Sequence, residues 1–344
     1  MLTVTIIIIS IILILFIALW YLKNDPHYIT RFLIENKNRS SLCIIRNDEV
    51  FVAINENKVM PLASTVKIVI ALEYANQVSK NIVTKDEPVD LDHLNNFYLA
   101  NTDAGAHKSW LNDIERKELI QKNFVALEEV VRGMIRFSSN ANAEYLIGKL
   151  GNEKIDAFIK NENLNHTPIY PFVSSLIVSS ISPGLPDPDL ISESWKIHER
   201  LKNGDGDLLQ SFKIPKLPVQ RIWSDKLPAS TTKDYCTLMN KINSDTLTDQ
   251  KVSHLLKQIL GWPMNTAANQ KHLTSFGIKG GSTAFIVTEA LYATDAPGNK
   301  TALAVFFNDL KDWEKIFIDW NLTKFELKIL LDEKFRNNVK EKLF

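Results

Sequence analysis

The chain has 344 residues, 45% of them hydrophobic, and its 40 basic and 40 acidic side chains cancel. That size and apolar content suffice for one large buried core or two intimate ones. Balanced charge excludes a global field that steers nucleic acid or an acidic polymer, so binding is local and no nucleic-acid partner is expected.

Residues 2–22 carry no charge for 21 positions and close on Trp20 and Tyr21 before Lys23. The length crosses a bilayer core, and the two aromatics suit its interface. No basic segment precedes the run, and Ala18-Leu19-Trp20-Tyr21 offers no small-residue cleavage site. Residues 1–24 therefore read as an uncleaved single-pass transmembrane anchor and not as a signal peptide. Lys23, Arg31, Lys37 and Arg39 follow the span, which by charge alone keeps the body in the cytoplasm.

Residues 25–40 read as a juxtamembrane linker with one short amphipathic helix near Tyr28 to Glu35. Two β-rich runs, 41–46 and 49–54, flank Asn47-Asp48, a short hairpin signal. They lead into Pro61-Leu-Ala-Ser64-Thr-Val-Lys67 and a long apolar run. On a helix Ser64 and Lys67, three apart, share one face, placing a nucleophile beside a possible base. The first turn of a buried helix lowers a lysine pKa and aims N–H groups at a developing oxyanion.

From about 64 to 270 the pattern is mainly helical. Residues 85–115, polar and weakly periodic, read as a surface excursion in which His93 and His107 are solvated or locally bonded; no metal is assigned. A helix over 124–136 runs into Phe137-Ser138-Ser139-Asn140, whose polar side chains cap the next helix. Residues 166–200, rich in proline, read as an irregular functional loop. Cys43 and Cys236 read as small buried hydrophobes rather than a bridge, and Trp223 and Trp262 as core or groove packing. Past Asn269 the period changes, giving strands over 273–279, 284–293 and 301–307, then a helical tail from about 310 to 343. Two strands before the helical block and three after it predict one antiparallel sheet built from both chain ends.

Three motifs then stand in order: Ser64-Thr-Val-Lys67, Ser138-Ser139-Asn140 and Lys279-Gly280-Gly281. The set resembles the S-x-x-K, S-D-N and K-T-G triplets of the serine β-lactamase and penicillin-binding-protein superfamily, nearest its class A-like branch. The resemblance covers roughly residues 40–340 and implies an α+β, β-lactamase-like fold over 41–344: a five-stranded antiparallel sheet with an all-α part, about 64–270, inserted in it. It implies an acyl-enzyme on Ser64, Lys67 as base, Ser138 as proton relay, Asn140 orienting Lys67 and substrate, and Lys279 supplying positive charge. The N–H groups of Ser64 and of Ser282, just past Gly281, would form an oxyanion hole. No cofactor is implied.

This chain departs from the pattern at three points. Ser139 replaces the aspartate of S-D-N, with loss of a buried hydrogen bond expected; Gly280 replaces the hydroxyl residue of K-T-G, leaving Ser282 or Thr283 to compensate. Class A enzymes hydrolyse the acyl group with a loop glutamate. Residues 165–180 hold no Asp or Glu, and Glu144 and Asp187 read as surface carboxylates. The expectation is a membrane-anchored serine hydrolase acting on β-lactams or related amides. Its alternatives are a D-alanyl-D-alanine peptidase-like enzyme of cell-wall metabolism and a penicillin- or peptidoglycan-binding module that does not turn over. Such substrates are extracytoplasmic, which places the body outside despite the charge count.

Overall fold

In the computed structural model, which describes residues 23–247 and 249–343, the first element is a helix, His27–Glu35 (α1). Asn47 and Asp48 both take positive φ, 50° and 68°, and the two-residue turn pairs Ser40–Arg46 (β1) with Glu49–Ile54 (β2). That turn geometry matches the twist of the strands it joins. After a 3-10 turn over Ala63–Val66 comes the central helix, Lys67–Ser79 (α2), with ten of its thirteen residues buried.

The helical block continues through Ala106–Arg116 (α3), Asn140–Leu150 (α4), Phe172–Ile181 (α5), Asp187–Lys202 (α6), Leu217–Asp225 (α7) and Thr232–Ser244 (α8). Strands Leu273–Ser282 (β3), Val287–Asp295 (β4) and Lys300–Phe307 (β5) follow, then helices Asp312–Leu331 (α9) and Glu333–Leu343 (α10). The five strands order as β2-β1-β5-β4-β3, antiparallel throughout, so both ends of the chain build one sheet around the helical block.

Both faces of this sheet are covered, which is why six of the seven residues of β1 are buried instead of every second one. Leu42 and Ile44 face α1 and α9; Cys43 and Ile45 face the helical block. Ile29, Phe32 and Leu33 of α1 are at most 4% exposed, each contributing about 1.5–3 kcal/mol of burial. Thus the helix expected within a linker is an integral part of the outer layer. Arg39 fastens it, donating to both oxygens of Glu314 on α9 at 2.6 Å. The two cysteines are free and buried.

Three expectations change. Residues 166–200 are largely helical, because Pro171 and Pro186 stand at the N-caps of α5 and α6, where a fixed φ helps start a helix. Residues 85–115 include α3, whose inward positions His107, Trp110, Asp113 and Ile114 have helical spacing hidden by two polar side chains. The C-terminal tail is two helices, parted at Asp332, whose carboxylate accepts the N–H of Phe335 at 2.9 Å. Among the described residues no helix is long and apolar enough to cross a membrane, and the anchor expected over residues 1–24 lies almost wholly outside them.

Candidate active site

Ser64 sits in the 3-10 turn, one step before α2, not on the helix itself. Ala63 just ahead of it has φ +45°, a left-handed conformation that an alanine adopts only under tertiary constraint. The constraint is visible on both sides. Thr288 of β4 donates its hydroxyl to Leu62 O at 2.6 Å and lies 2.8 Å from the Thr65 hydroxyl. Gly281 of β3 packs so closely that a Cβ there would fall 2.6 Å from Leu62 O, Ser64 N and Thr65 N. Only glycine lets the strand approach the nucleophile's backbone.

Lys67 and Lys279 converge beside this turn, 1% and 4% exposed. Lys67 Nζ reaches Ser138 O at 2.6 Å, Asn140 Oδ1 at 2.7 Å and Ser138 Oγ at 3.3 Å. Lys279 Nζ donates to Ser138 Oγ at 3.1 Å and to Gly280 O at 2.5 Å. Burial pushes Lys67 well below the usual lysine range, and the Lys279 charge pushes it further. Burial lowers Lys279 to about 8, with the Glu289 charge opposing it. A neutral Lys67 keeps its two shortest bonds, with its N–H groups going to Ser138 O and Asn140 Oδ1, and retains a lone pair that can take a proton.

Ser138 reaches this position by adopting φ +68°, ψ 27° after the wide turn Gly133–Phe137. A non-glycine residue there costs about 1–2 kcal/mol, and the result is a carbonyl and a hydroxyl turned together onto Lys67. Asn140 then opens α4. Ser139 between them does more than tolerate a lost aspartate. It is fully buried, caps α4 by accepting Asn142 N at 3.2 Å, and lies 2.9 Å from His107 Nδ1. His107, expected at the surface or only locally bonded, is buried and held neutral, its pKa lowered by burial to about 4.

Two cavities open on Ser64. One, of about 210 Å³, is lined by Phe172, Val173, Leu176, Ile214, Trp223 and Leu227, an apolar wall suited to a hydrophobic acyl group. The second, of about 760 Å³, runs past Ser138, Asn140 and Gly280 to Glu289 on β4 and Asp319 on α9. Ser282 lines both.

Glu144 is the residue that sequence reasoning misplaced. It is fully buried and accepts Val173 N at 2.9 Å, Ser174 N at 3.1 Å and the Ser174 hydroxyl at 2.5 Å. A carboxylate on those first-turn N–H groups fixes α5, and with it the apolar wall beside Ser64. The signal was its spacing: four residues past Asn140, it shares that residue's face of α4. Asp187 is indeed exposed, pairing with Lys226 at 2.6 Å.

The antiparallel sheet enclosing a helical block, with this serine turn at their junction, is the architecture of the serine β-lactamases and penicillin-binding proteins. The chain belongs to the beta-lactamase enzyme family, whose profile matches residues 27–317. Among solved structures it is similar to a β-lactamase from Sphaerobacter thermophilus, with TM-score 0.58 and 15% identity over 88% of this chain and 95% of that one. A class A β-lactamase from Bacteroides cellulosilyticus gives 0.53 and 16% over 93% and 99%. A mutant of PBP-A, solved as its acyl-enzyme with penicillin G, gives 0.54 and 16% over 88% and 95%. No curated protein matches the chain significantly.

Proposed function

We propose that the chain is a membrane-anchored serine hydrolase, forming an acyl-enzyme on Ser64 from a β-lactam or related amide, its body outside the cell membrane. The observation that supports this most directly is the buried network joining Lys67, Ser138, Asn140 and Lys279 at the foot of the Ser64 turn. Ser64 Oγ attacks the carbonyl carbon while neutral Lys67 takes its proton. The proton passes through the Ser138 hydroxyl to the departing nitrogen, with Lys279 donating to that same hydroxyl. Asn140 holds Lys67 in place. The oxyanion meets the N–H groups of Ser64 and Ser282; the former has no carbonyl partner among the described residues, and the latter lies on an edge strand. Gly281 lets the two approach.

One feature favours slow release of the acyl group, as in a D-alanyl-D-alanine peptidase-like enzyme or a binding module. The α5 residues facing Ser64 are Phe172, Val173 and Leu176, and Glu144 behind them is engaged by three donors of α5, with His198 Nδ1 3.4 Å away. Hydrolysis then falls to Lys67 as the base for water.

The test is intact-mass spectrometry of the full-length protein in mild detergent, with a fluorescent penicillin and a neutral phenylacetyl thioester, beside Ser64→Ala. An adduct that forms and decays supports a hydrolase, and one that persists supports the binding module. No Ser64-dependent adduct with either reagent overturns the proposal.

A further inference from the structure

The groove that receives the departing half of the substrate has the wrong charge for a carboxylate. Lys279 bonds to Ser138, the residue that protonates the leaving nitrogen in the reading above, so the leaving group lies along Lys279 and Gly280. The strand register sets Gly280 directly opposite Glu289. A Cβ at Gly280 would lie 3.6 Å from Glu289 Oε1; with none there, the carboxylate is open to the groove that it lines.

Behind Glu289 stands Glu326 of α9, 3% exposed, with an Oε1 that finds no hydrogen-bond donor among the described residues. Burial, then the Glu289 charge, pushes Glu326 well above the carboxylate range, and burial raises Glu289 to about 7, so above that pH the pair holds one negative charge beside the groove that Glu289 lines. Asp319 and Asp103 line the same groove.

The cations nearby offset this wall only in part: Lys315 pairs with Asp319 at 2.7 Å, and the Lys279 charge acts on Glu289 against the effect of burial. Lys279 is turned to Ser138 Oγ and Gly280 O. Arg136 is held by Asp113 at 3.3 Å and stacks over Phe137. A carboxylate entering here meets Glu289 without the hydroxyl of K-T-G; a cation meets Glu289, which no ion pair engages among the described residues, and then Asp319, which Lys315 shares.

We propose that the substrate's leaving group carries a cation where it passes Gly280, with Glu289 as its main specificity determinant and Asp319, shared with Lys315, as a lesser one. The enzyme then acts on amides of basic amines in preference to acyl donors ending in a free carboxylate. This rests on the serine hydrolase reading and adds the substrate class. In the reaction the carbonyl–nitrogen bond breaks, the Ser64 proton moves to nitrogen, and the diamine departs. Water then cleaves the ester, giving the acid and restoring the Ser64 hydroxyl.

Three phenylacetyl thioesters that differ only in the thiol test it at pH 8: thiocholine (cationic), ethanethiol (neutral) and thioglycolate (anionic). Thiol release by full-length protein, corrected with Ser64→Ala, gives kcat/KM for each. The expected order is cation, neutral, anion, with about tenfold or more between the extremes, as charges a few ångströms apart in a partly screened groove produce. Glu289→Gln compresses that ratio and Glu289→Lys inverts it; Asp319→Asn, at the rim, gives a smaller compression should the Glu289 variants fail to fold. A wild-type ratio at or below one, with Ser64-dependent turnover, overturns this proposal and leaves the hydrolase standing. A ratio unmoved by the folded variants overturns the assignment to these carboxylates. No Ser64-dependent release from any thioester overturns both readings.

Discussion

Gly281→Ala probes the contact between strand β3 and the nucleophile turn. The new Cβ would lie 2.6 Å from three backbone atoms, Leu62 O, Ser64 N and Thr65 N, about 0.8 Å inside ordinary 3.4 Å contact. None of the three is on a side chain that can rotate away, so the strand and the turn must separate. Overpacking of this kind costs about 1–3 kcal/mol. A displacement approaching 1 Å at a reacting centre slows chemistry by about 100-fold. We expect the rate of Ser64 acylation by the neutral thioester, followed by intact mass, to fall ten- to a hundredfold, and calorimetry to show a Tm lower by several degrees. Gly280→Ala is the control for stability, since its Cβ meets nothing nearer than 3.6 Å and its Tm should stay within about 1 °C of wild type. Wild-type acylation and Tm in Gly281→Ala would refute the claim that this contact sets the geometry of the nucleophile.

Lys67→Met removes the proposed base and should slow acylation about 10²–10⁴-fold while leaving the circular-dichroism spectrum intact; a loss under tenfold would point to another base. Lys279→Met removes the charge that helps hold Lys67 low, so the Lys67 pKa rises and the acid limb of the acylation pH profile moves to higher pH; a limb that stays or moves down contradicts the coupling. Glu144→Ala strands Val173 N, Ser174 N and the Ser174 hydroxyl, a loss of about 3 kcal/mol or more in urea unfolding. Because α5 carries the apolar wall, the KM for phenylacetyl thioesters should rise as well, and Glu144→Gln should recover part of both effects.

Local chemistry made much of this protein legible. Asn47-Asp48 between two β-branched runs specifies the hairpin, because those residues tolerate the positive φ a two-residue turn requires. Ser64 and Lys67 were readable as neighbours from their spacing, and the order of the three motifs led to the family. Burial was harder to read. Glu144, Ser139 and His107 are polar residues each bonded to an element about 30 positions away, so apart from the spacing of Glu144 from Asn140 little beside them signals an interior place. The prolines at 171 and 186 carry the same local signal whether they break a chain or start a helix, and only packing selected the helix.

The sequence by itself determined which groups could do chemistry and in what order the chain presents them. Tertiary structure decided which of them meet. Folding set Gly281 against Ser64 N, turned Ser138 into a left-handed conformation over Lys67, and registered Gly280 opposite Glu289. Each is a contact between distant or cross-strand positions, specified by packing and register rather than by the residues on either side.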